Sequence, residues 1–445
     1  MKELIKDLVK NGQYSQIKQE IIKMNAVDVA QLFEELEEES IMIIFRLLPK
    51  EMAANVFTYL SFEQQQYIIE SITDKETKII MEDLFLDDAV DLLEEMPANV
   101  VKKILKNTTE EKRNLINHFL KYPDNSAGSI MTIEYADLKK EMSVNEALEH
   151  IKKTGVDKET IDICYVTDKY RKLEGIIPLR KLILNDGSKK IEKIMDKNIK
   201  SVQTDMDQEE IAHLFKKYDM VVMPVVDKEN RLVGIITIDD IVDIIEQENT
   251  EDFQKMAALE PSGVEYLKAS VFALAKHRIL WLMVLMISAT FTGRIINNFE
   301  EVLAAIMILN SFIPMLMDTG GNSGSQSATL IIRGLALGEV HISDALKIVW
   351  KEFRVSLIVG FALAVVNFFR IYYLEGIPLD ITIVVCITLF LTIVIAKLVG
   401  GILPIFAKLI KVDPAIMAAP LITTIVDALA LIAYFQMASH FLGIA

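Results

Sequence analysis

The pattern of hydrophobic and polar positions divides the 445-residue chain into two parts of different kinds. Up to about residue 270, apolar residues recur at short periods among many charges, which is typical of water-soluble helices and strands. Beyond that point, long apolar stretches contain few charges, and roughly 20 such residues suffice to cross a bilayer. The pattern therefore predicts an integral membrane protein with a large soluble part and five spans, at about residues 279–297, 302–332, 355–374, 379–405 and 414–442.

Residues 1–123 follow a helical period. Apolar residues recur at i, i+3 and i+4 in VAQLFEELEEESIMIIFRLL and again in AVDLLEEMPANVVKKIL. The two segments also resemble each other: Asp28, Leu32, Phe33, Glu34 and Glu35 align with Asp88, Leu92, Leu93, Glu94 and Glu95. Such a repeat indicates an all-α, superhelical domain made of helix pairs. Pro49 and Pro97 are each expected to open a helix.

A second and stronger repeat follows this helical part. The segment IDICYVTDKYRKLEGIIPLRKLI aligns with MVVMPVVDKENRLVGIITIDDIV, which pairs Asp168 with Asp227, Gly175 with Gly234 and, upstream, Met131 with Met195. Each copy reads as a helix, a strand, an Asp-containing turn, a strand ending at Gly-Ile-Ile and a helix. This pattern resembles a tandem pair of α/β cystathionine-β-synthase (CBS) domains, at residues 124–187 and 188–247. The resemblance implies a module that senses ligands and catalyses no reaction.

The stretch from Asp239 to Lys276 returns to a helical pattern, interrupted once by EPSG at residues 260–263. Its acidic residues occur on nearly every turn. Because it joins the soluble part to the first predicted span, we expect a connecting helix at residues 248–277. A transmembrane domain is expected at residues 278–445.

Basic residues are distributed unevenly among the predicted loops. They cluster before the first span, between the second and third, and between the fourth and fifth, at Lys276, Arg278, Arg333, Lys347, Lys351, Arg354, Lys408 and Lys411. Loops rich in Lys and Arg face the cytosol. We therefore expect a multi-pass plasma-membrane protein with a cytosolic N-terminus and an extracellular C-terminus, in keeping with an odd number of spans.

Charge separates along the same line as hydropathy. The residues before Val271 include 53 acidic and 36 basic side chains, a net charge of −17, whereas the remainder has 10 acidic and 11 basic side chains. This acidic excess opposes nucleic-acid binding and favours cations as partners, although net charge alone is more often explained by ordinary solubilising acidity. No P-loop, catalytic triad or metal-hydrolase spacing is present in the sequence, so we expect no enzyme.

Asp427 is an acidic residue near the middle of the apolar stretch TTIVDALALIAYF. Placing an acid there costs about 2.5–3.5 kcal/mol on insertion scales, so such a side chain faces a bundle interior or a wet cavity and is a candidate functional group. The structural alternative is a protonated carboxyl, or one satisfied by Thr423 or Thr424 one turn earlier. Pro420 in the same span is expected to distort the helix and to leave the carbonyl of residue 416 unpaired.

The predicted second span contains the polar segment PMLMDTGGNSGSQSATLIIRGLALGE. Its small and polar residues include Gly320, Gly321, Asn322, Gly324 and Gln326. They are explained equally well by close helix packing, in which small residues let backbones approach, and by a pore wall for a hydrated ion.

Three segments carry a resemblance to a known family: GGNSGSQSATLIIRGLALGE, VDPAIMAAPLITTIVDALAL and PDNSAGSIMT. They resemble the signature segments of the MgtE family of magnesium channels and transporters. The order of parts is similar too, with an acidic helical N-domain, two CBS domains, a connecting or plug helix and five spans. The resemblance covers essentially the whole chain.

This resemblance implies a homodimer with a pore on its two-fold axis. Asp427 matches the family's pore aspartate, with Thr423, Thr424 and the carbonyl of Ala419 beside it, and Asp413 matches an acid at the cytosolic pore entrance. The matching acids of the soluble part are Asp87, Asp88, Asp91, Asp240, Asp243, Glu248, Glu251 and Asp252. In the family pattern they bind Mg²⁺ and close the pore.

Magnesium suits this set of residues. Mg²⁺ gives up water reluctantly and is usually held through one or two carboxylates, so two symmetry-related Asp427 side chains can hold a hydrated ion without trapping it. Carboxylates of the soluble part repel one another unless divalent cations bridge them, which would couple cytosolic Mg²⁺ to closure. We therefore expect a Mg²⁺-selective uptake channel closed by cytosolic Mg²⁺.

Two alternatives stay open at the level of sequence. One is a secondary transporter of Mg²⁺ or another divalent cation, coupled to Na⁺ or H⁺, for which Asp318 offers the second intramembrane acid that a coupling ion needs. The other is a membrane-anchored sensor that binds ATP or another adenine nucleotide at its CBS domains, with ribose contacts from Asp168 and Asp227, and conducts nothing. A mid-span aspartate favours transport over the sensor.

Overall fold

The computed structural model describes residues 2–262, 266–267, 269–300, 304, 306–417 and 419–443. The chain divides into two compact units, Met1–Ile244 and Ile245–Ala445. The division falls inside a single helix, so the two units are joined by continuous helical backbone.

The first unit opens with consecutive helices separated by short turns. Their bounds are α1 (Lys2–Lys10), α2 (Tyr14–Ile21), α3 (Ala26–Phe33), α4 (Glu38–Leu47), α5 (Lys50–Thr58), α6 (Phe62–Ser71), α7 (Asp74–Asp83), α8 (Leu86–Glu95), α9 (Ala98–Asn107) and α10 (Glu110–Phe119). Side-chain caps start several of them; Thr73, for example, forms a capping box with Glu76, which satisfies two amides that the first turn leaves unpaired. Pro49 and Pro97 immediately precede α5 and α9, as expected.

The helical repeat predicted from sequence is present as α3 and α8. Leu32 and Phe33 of α3 are buried, and so are their counterparts Leu92 and Leu93 of α8. Each helix therefore contributes two adjacent apolar residues, at matching positions of the repeat, to the core of the N-domain. The acids that follow each pair remain at the surface.

Two three-stranded sheets follow. The first copy contains α11 (Ala127–Ile130), β1 (Tyr135–Leu138), α12 (Val144–Thr154), β2 (Thr160–Thr167), β3 (Leu173–Pro178) and α13 (Leu179–Ile183). The second contains α14 (Ile191–Ile194), β4 (Val202–Gln203), α15 (Gln208–Tyr218), β5 (Val222–Val226), β6 (Leu232–Thr237) and α16 (Ile238–Met256). In each sheet the first strand is parallel to the second and the second is antiparallel to the third. The predicted order of elements is confirmed in both copies.

The two copies interlock through the glycines that the alignment pairs. A Cβ atom on Gly175 would lie 2.6 Å from the sulfur of Met195, and one on Gly234 would lie 2.8 Å from the sulfur of Met131. Each copy therefore packs its methionine on the glycine of the other. The sequence alignment pairs glycine with glycine and methionine with methionine. Only the fold shows that the glycine of each copy contacts the methionine of the other copy.

The Asp-containing turns use their carboxylates to hold their own backbone. Asp168 Oδ1 accepts the amides of Tyr170 and Lys172, at 2.7 and 2.8 Å. Asp227 Oδ1 accepts the amides of Glu229 and Arg231, at 2.9 and 2.8 Å. Such bonds are those of an Asx-turn, so the predicted ribose contacts would have to compete with turn formation.

The connecting helix differs from the prediction of residues 248–277. Helix α16 continues from the last strand of the second copy and ends at Met256. Ala258 then adopts a left-handed conformation with φ +53°, a common way to end a helix. Pro261 lies just beyond, where a proline disfavours continued helix, and the next long helix starts only at Val271.

The second unit contains the long apolar helices α17 (Val271–Asn298), α18 (Ile313–Ala336), α19 (Ala345–Phe369), α20 (Leu379–Leu409) and α21 (Ala419–Leu442). Among the described residues, four segments are long and apolar enough to cross a membrane: Val271–Asn298, Ile342–Leu374, Leu379–Leu409 and Pro414–Leu442. They correspond to the first, third, fourth and fifth predicted spans. The second predicted span is present as α18, whose polar residues lower its hydropathy.

Span boundaries differ from the prediction, most of all at the starts of the second and third spans, because hydropathy locates apolar windows and not helix ends. The second span was placed from residue 302, but α18 begins at Ile313 after a 3₁₀ turn at Met307–Phe312. The third was placed from residue 355, but α19 begins ten residues earlier, at Ala345. The charged residues of its first turns hid the helix from a hydropathy criterion.

The prediction that Pro420 distorts the fifth span is wrong. Helix α21 begins at Ala419, so Pro420 occupies its first turn. There the missing amide would have had no helical partner, and the fixed φ of proline favours helix initiation. Pro404 of α20, by contrast, lies inside a membrane helix.

Candidate functional site

Asp427 lies about two turns after the start of α21 and is half-buried. Thr423 and Thr424 occupy the preceding turn, also half-buried. Their hydroxyls both donate to the carbonyl of Pro420, at 2.9 and 3.0 Å. The two threonines therefore do not satisfy Asp427, as the structural alternative had supposed, and their oxygens keep lone pairs that can accept hydrogen bonds from water.

The polar segment of α18 divides between two faces. Gly320, Gly321 and Gly324 are buried. A Cβ on Gly321 would lie 2.8 Å from Cγ2 of Thr423, and one on Gly320 would lie 2.7 Å from Cγ2 of Thr392. The glycines thus let α18 approach α20 and α21 closely, which is the packing explanation of this segment.

The other face of α18 is polar and exposed within this chain. Asp318, Asn322 and Gln326 follow one another at intervals of four residues and so share one face of the helix. Asn322 Nδ2 donates to Asp318 Oδ1 at 3.2 Å. We call these three residues the α18 polar row. The two explanations of the segment therefore concern different faces of α18: the glycines pack against neighbouring helices, and Asn322 and Gln326 are available for a pore wall.

Asp318 is also the charged neighbour of Asp427. The two carboxylates lie on α18 and α21, close enough for their charges to repel. Negative potential from two acids favours a divalent cation over a monovalent one at this place. From the sequence alone Asp318 is only a candidate coupling residue, because its distance from Asp427 depends on how the two helices pack.

A second group of acids lies within the first unit, around the start of α8. Burial raises the pKa of Asp87 well above its ordinary value, with repulsion from Asp88 and Asp240 adding to the effect. Burial, and then repulsion from Asp240, raise the pKa of Asp88 to about 6. Asp87 Oδ1 is buried and accepts no hydrogen bond from the residues described. The positive charge nearby is therefore insufficient to stabilise these carboxylates when all of them are ionised.

Asp240, at the start of α16, belongs to this same group. Its Oδ2 accepts a hydrogen bond from the Thr237 hydroxyl at 2.6 Å. Burial raises its pKa, and the neighbouring acids Asp239 and Asp243 add to the rise. Asp91 and Asp243 themselves are exposed, at the edge of the group.

Glu159 is a member that sequence reasoning missed. Burial, and then repulsion from Asp239 and Asp240, raise its pKa to about 7. It lies just before β2, in the extra residues of the first CBS copy, where the alignment of the two copies offers no counterpart. Its acidity alone could not indicate that the fold brings it to Asp240. We call Asp87, Asp88, Glu159 and Asp240 the cytosolic acid cluster.

The end of α16 carries the remaining predicted acids, all within the second unit. Lys255 donates to Asp413 Oδ2 at 2.5 Å and also pairs with Glu251. Asp413 Oδ1 accepts the amide of Ala415 at 2.8 Å. Burial lowers the pKa of Lys255, but its hydrogen bonds to Asp413 and Glu251 outweigh that effect and raise it. An ammonium group therefore lies where a metal ion was expected.

Asp252 and Glu248 complete this group on α16, both half-buried. Burial, and then repulsion from Asp413, raise the pKa of Asp252 to about 6. Among the residues that the structure describes, no three His, Cys, Asp or Glu side chains are arranged to hold a bare metal ion. Mg²⁺ usually keeps several waters, so contacts through its hydration shell suit these acids better than a dry cage.

Comparison with known proteins identifies the family. A family model described as MgtE, divalent cation transporter, matches residues 313–437; the MgtE intracellular N domain matches residues 24–125, and a CBS domain matches residues 191–247. The magnesium transporter MgtE of Thermus thermophilus is 36% identical over 440 residues, which cover 98% of this chain and 97% of that protein. The chain belongs to the MgtE family.

Further MgtE relatives agree. The magnesium transporter MgtE of Bacillus subtilis is 31% identical over 436 residues, 98% of this chain and 96% of that protein. The solved cytosolic domain of an Mg²⁺ channel MgtE in complex with ATP is 33% identical, with a TM-score of 0.53, and covers 55% of this chain and all of that one. The soluble part of a magnesium transporter is 28% identical, also with a TM-score of 0.53.

These matches confirm the family resemblance and the fold of the helical N-domain and the CBS pair. MgtE proteins are transporters, so the chain is not an enzyme.

Proposed function

We propose that this chain is a Mg²⁺-selective channel that takes up magnesium across the plasma membrane as a homodimer and is closed by cytosolic Mg²⁺. Asp427 is the observation that carries the proposal. It is a carboxylate in an apolar helix, half-buried, with a second acid near it and two threonine oxygens one turn away.

The chemistry of this site favours an ion that passes with its water. One Asp427 per chain gives two carboxylates in a dimer, which neutralise a divalent charge without supplying six protein ligands. The Thr423 and Thr424 hydroxyls donate to Pro420, so towards water they act as acceptors, and coordinated waters are strong donors. A hydrated ion held this way is bound weakly enough to leave. The relative with a solved cytosolic domain is itself described as an Mg²⁺ channel.

The cytosolic acid cluster supports closure by Mg²⁺. Its raised pKa values mean that the compact arrangement of Asp87, Asp88, Glu159 and Asp240 is disfavoured when all four are ionised. A divalent cation bound through water would offset that repulsion and stabilise the compact state. Mg²⁺ would then act by binding more tightly to one conformation than to another.

The group around Asp413 gives α16 a second place at which Mg²⁺ can act. Lys255 neutralises Glu251 and Asp413, while Asp252 remains next to Asp413 with a raised pKa. We infer that Mg²⁺ competes with the Lys255 ammonium here. The end of α16 would thus report cytosolic Mg²⁺ at the loop that leads into α21.

ATP or another adenine nucleotide is proposed as a ligand of the CBS pair, because the related cytosolic domain was solved with ATP. Asp168 and Asp227 hold their own turns through Oδ1, so ribose contacts are proposed for the other oxygen of each carboxylate. Lys and Arg cluster before the first span and in alternate loops after it, which supports a cytosolic N-terminus and an extracellular C-terminus.

Single-channel recording of the purified full-length chain tests the proposal. Mg²⁺ current is expected at low cytosolic Mg²⁺ and is expected to disappear as cytosolic Mg²⁺ rises. Deletion of residues 1–123 should abolish this closure but not the current. Flux that requires a Na⁺ or pH gradient, without unitary currents, would instead support a secondary transporter.

A further inference from the structure

Three helices of the membrane unit meet at a buried polar network. Ser327 of α18, Glu352 of α19 and Lys397 of α20 are 1%, 8% and 4% exposed. The Ser327 hydroxyl donates to Glu352 Oε2 at 2.6 Å, and Lys397 Nζ donates to Ser327 Oγ at 3.4 Å. The serine therefore bridges an acid and a base that come from different helices.

Such charges inside a membrane protein are costly and persist where they are paired and have a role. Among the described residues, Glu352 and Lys397 form no direct ion pair, and Ser327 links them through its two hydrogen bonds. A connected polar network in a low-dielectric interior fixes one geometry, since any shift leaves a charged group unpaired. The network thus fixes α18 relative to α19 and α20.

Close backbone packing beside the network leaves α18 little freedom. A Cβ on Gly400 of α20 would lie 2.1 Å from the carbonyl oxygen of Gly324, one turn before Ser327. A Cβ on Gly401 would lie 3.2 Å from Cγ of Glu352. Glycines therefore allow both the contact of α18 with α20 and the position of the Glu352 side chain.

Ser327 follows Gln326 directly, and Gln326 is the last residue of the α18 polar row. Successive residues of a helix are about 100° apart around its axis, so fixing Ser327 on the buried side sets where Asp318, Asn322 and Gln326 point. The network and the polar row occupy different faces of the same helix. A rotation of α18 would move the row relative to Asp427 of α21.

We propose that Ser327, Glu352 and Lys397 are positioning residues for ion passage, which hold the rotation and depth of α18 so that its polar row stays beside Asp427. The proposal rests on the proposed function, in which this face lines the path of Mg²⁺. The three residues themselves do not contact the ion.

Two readouts on the full-length chain test the proposal. Unitary Mg²⁺ current measures conduction per channel, independently of how much protein folds. The reaction rate of Gln326→Cys with a water-soluble thiol reagent measures the position of the polar row without requiring any current. The native cysteines, Cys164 and Cys386, are both buried and should contribute little to that reaction.

Lys397→Met should leave Glu352 without its counter-charge and lower the unitary Mg²⁺ current roughly three- to tenfold, because small displacements in a binding path have large effects. The thiol reaction rate at residue 326 should change in the same variant. Glu352→Gln together with Lys397→Met removes both charges and keeps an acceptor for Ser327, so both readouts should return to within about twofold of the parent protein. Lys408→Met, at an exposed lysine of the same helix, should change neither.

Normal unitary current and normal thiol reactivity in Lys397→Met channels would overturn the proposal, since the network would then only contribute stability. A lower current with unchanged reactivity would also overturn it. Should Lys397→Met not fold, Glu352→Gln alone tests the same expectation. If the parent protein transports Mg²⁺ without unitary currents, the channel proposal fails, while the thiol reaction still decides whether the network positions α18.

Discussion

The membrane helices and the first unit both use carboxylates, but they arrange them differently. Among the membrane helices, Asp427 is a half-buried acid with Asp318 as its charged neighbour. In the first unit, Asp87, Asp88 and Asp240 crowd together with raised pKa values. A few acids in a hydrated path suit an ion that must leave quickly, whereas several crowded acids suit an ion whose binding must change the stability of a conformation.

The largest effect is expected from removing the carboxylate of Asp427. Asp427→Asn keeps the size of the side chain but removes the charge that attracts the ion, so Mg²⁺ flux into proteoliposomes should fall about 100-fold or more. Asp380→Asn, at an exposed acid at the start of α20, is the matched control and should conduct normally. Undiminished and still selective flux through Asp427→Asn would refute the assignment of the pore acid.

Gly400→Ala tests whether the path depends on the close contact between α18 and α20. A methyl group there would meet the Gly324 carbonyl at 2.1 Å, and backbone cannot move aside as a flexible side chain can. Overpacking of this kind costs about 1–3 kcal/mol or more, so the yield of folded protein and its flux should both fall severalfold. Gly293→Ala is the control, because nothing lies within 4 Å of its added Cβ. Normal yield and flux in Gly400→Ala would show that the helices can separate.

Neutralising the cytosolic acid cluster should change sensing and spare conduction. Asp88→Asn with Asp240→Asn removes repulsion together with the charges that attract Mg²⁺. The cytosolic Mg²⁺ concentration for half-closure should therefore rise about tenfold, with the open-channel current unchanged. Glu110→Gln, an exposed acid of the same unit, should leave half-closure unchanged. A loss of current at all Mg²⁺ concentrations would contradict the proposal that the acid cluster senses Mg²⁺ while the membrane helices conduct it.

The same cluster predicts a pH dependence of stability in the absence of Mg²⁺. Asp88 and Glu159 have folded-state pKa values raised to about 6 and 7, so their protonated forms stabilise the folded unit. That contribution, roughly 1–2 kcal/mol per group, is fully present below the ordinary carboxyl pKa and is lost as pH rises through 6 to 7. Protease resistance of the soluble part of the full-length chain should therefore decrease between pH 5 and pH 8.

Added Mg²⁺ should restore that resistance more at pH 8 than at pH 5, where protons already neutralise the cluster. The Asp88→Asn, Asp240→Asn variant should show a weaker dependence on both pH and Mg²⁺. Equal protection by Mg²⁺ at the two pH values would mean that it binds elsewhere.

Lys255→Met should have the smallest effect. Without its ammonium group, Glu251 and Asp413 become available to Mg²⁺, and half-closure should shift to a concentration about two- to threefold lower, since a partly exposed ion pair contributes little. Lys276→Met, at an exposed lysine near the start of α17, provides the control. A shift to higher Mg²⁺ concentration would show that Lys255 itself helps to close the channel.

Some parts of the fold were accessible to sequence reasoning because they follow from local periodicity. The repeats in the N-domain and in the CBS pair, and four of the five spans, produce regular patterns of apolar residues, and each is present in the fold, although the ends of the spans differ from the prediction. Helix ends were less accessible. Pro420 shows why: a proline distorts a helix interior but starts a helix from its first turn, and its position relative to the helix start is not a local property.

The sequence by itself determined which residues carry the candidate chemistry of ion passage, since an acid in an apolar stretch is conspicuous wherever the chain folds. Only the tertiary structure decided which groups come together. It brought Asp318 to Asp427, Glu159 to Asp240 and Lys255 to Asp413, and it joined Ser327, Glu352 and Lys397 into one network. The physical reason is that electrostatic and hydrogen-bonding interactions depend on distance in space, and these partners lie far apart along the chain.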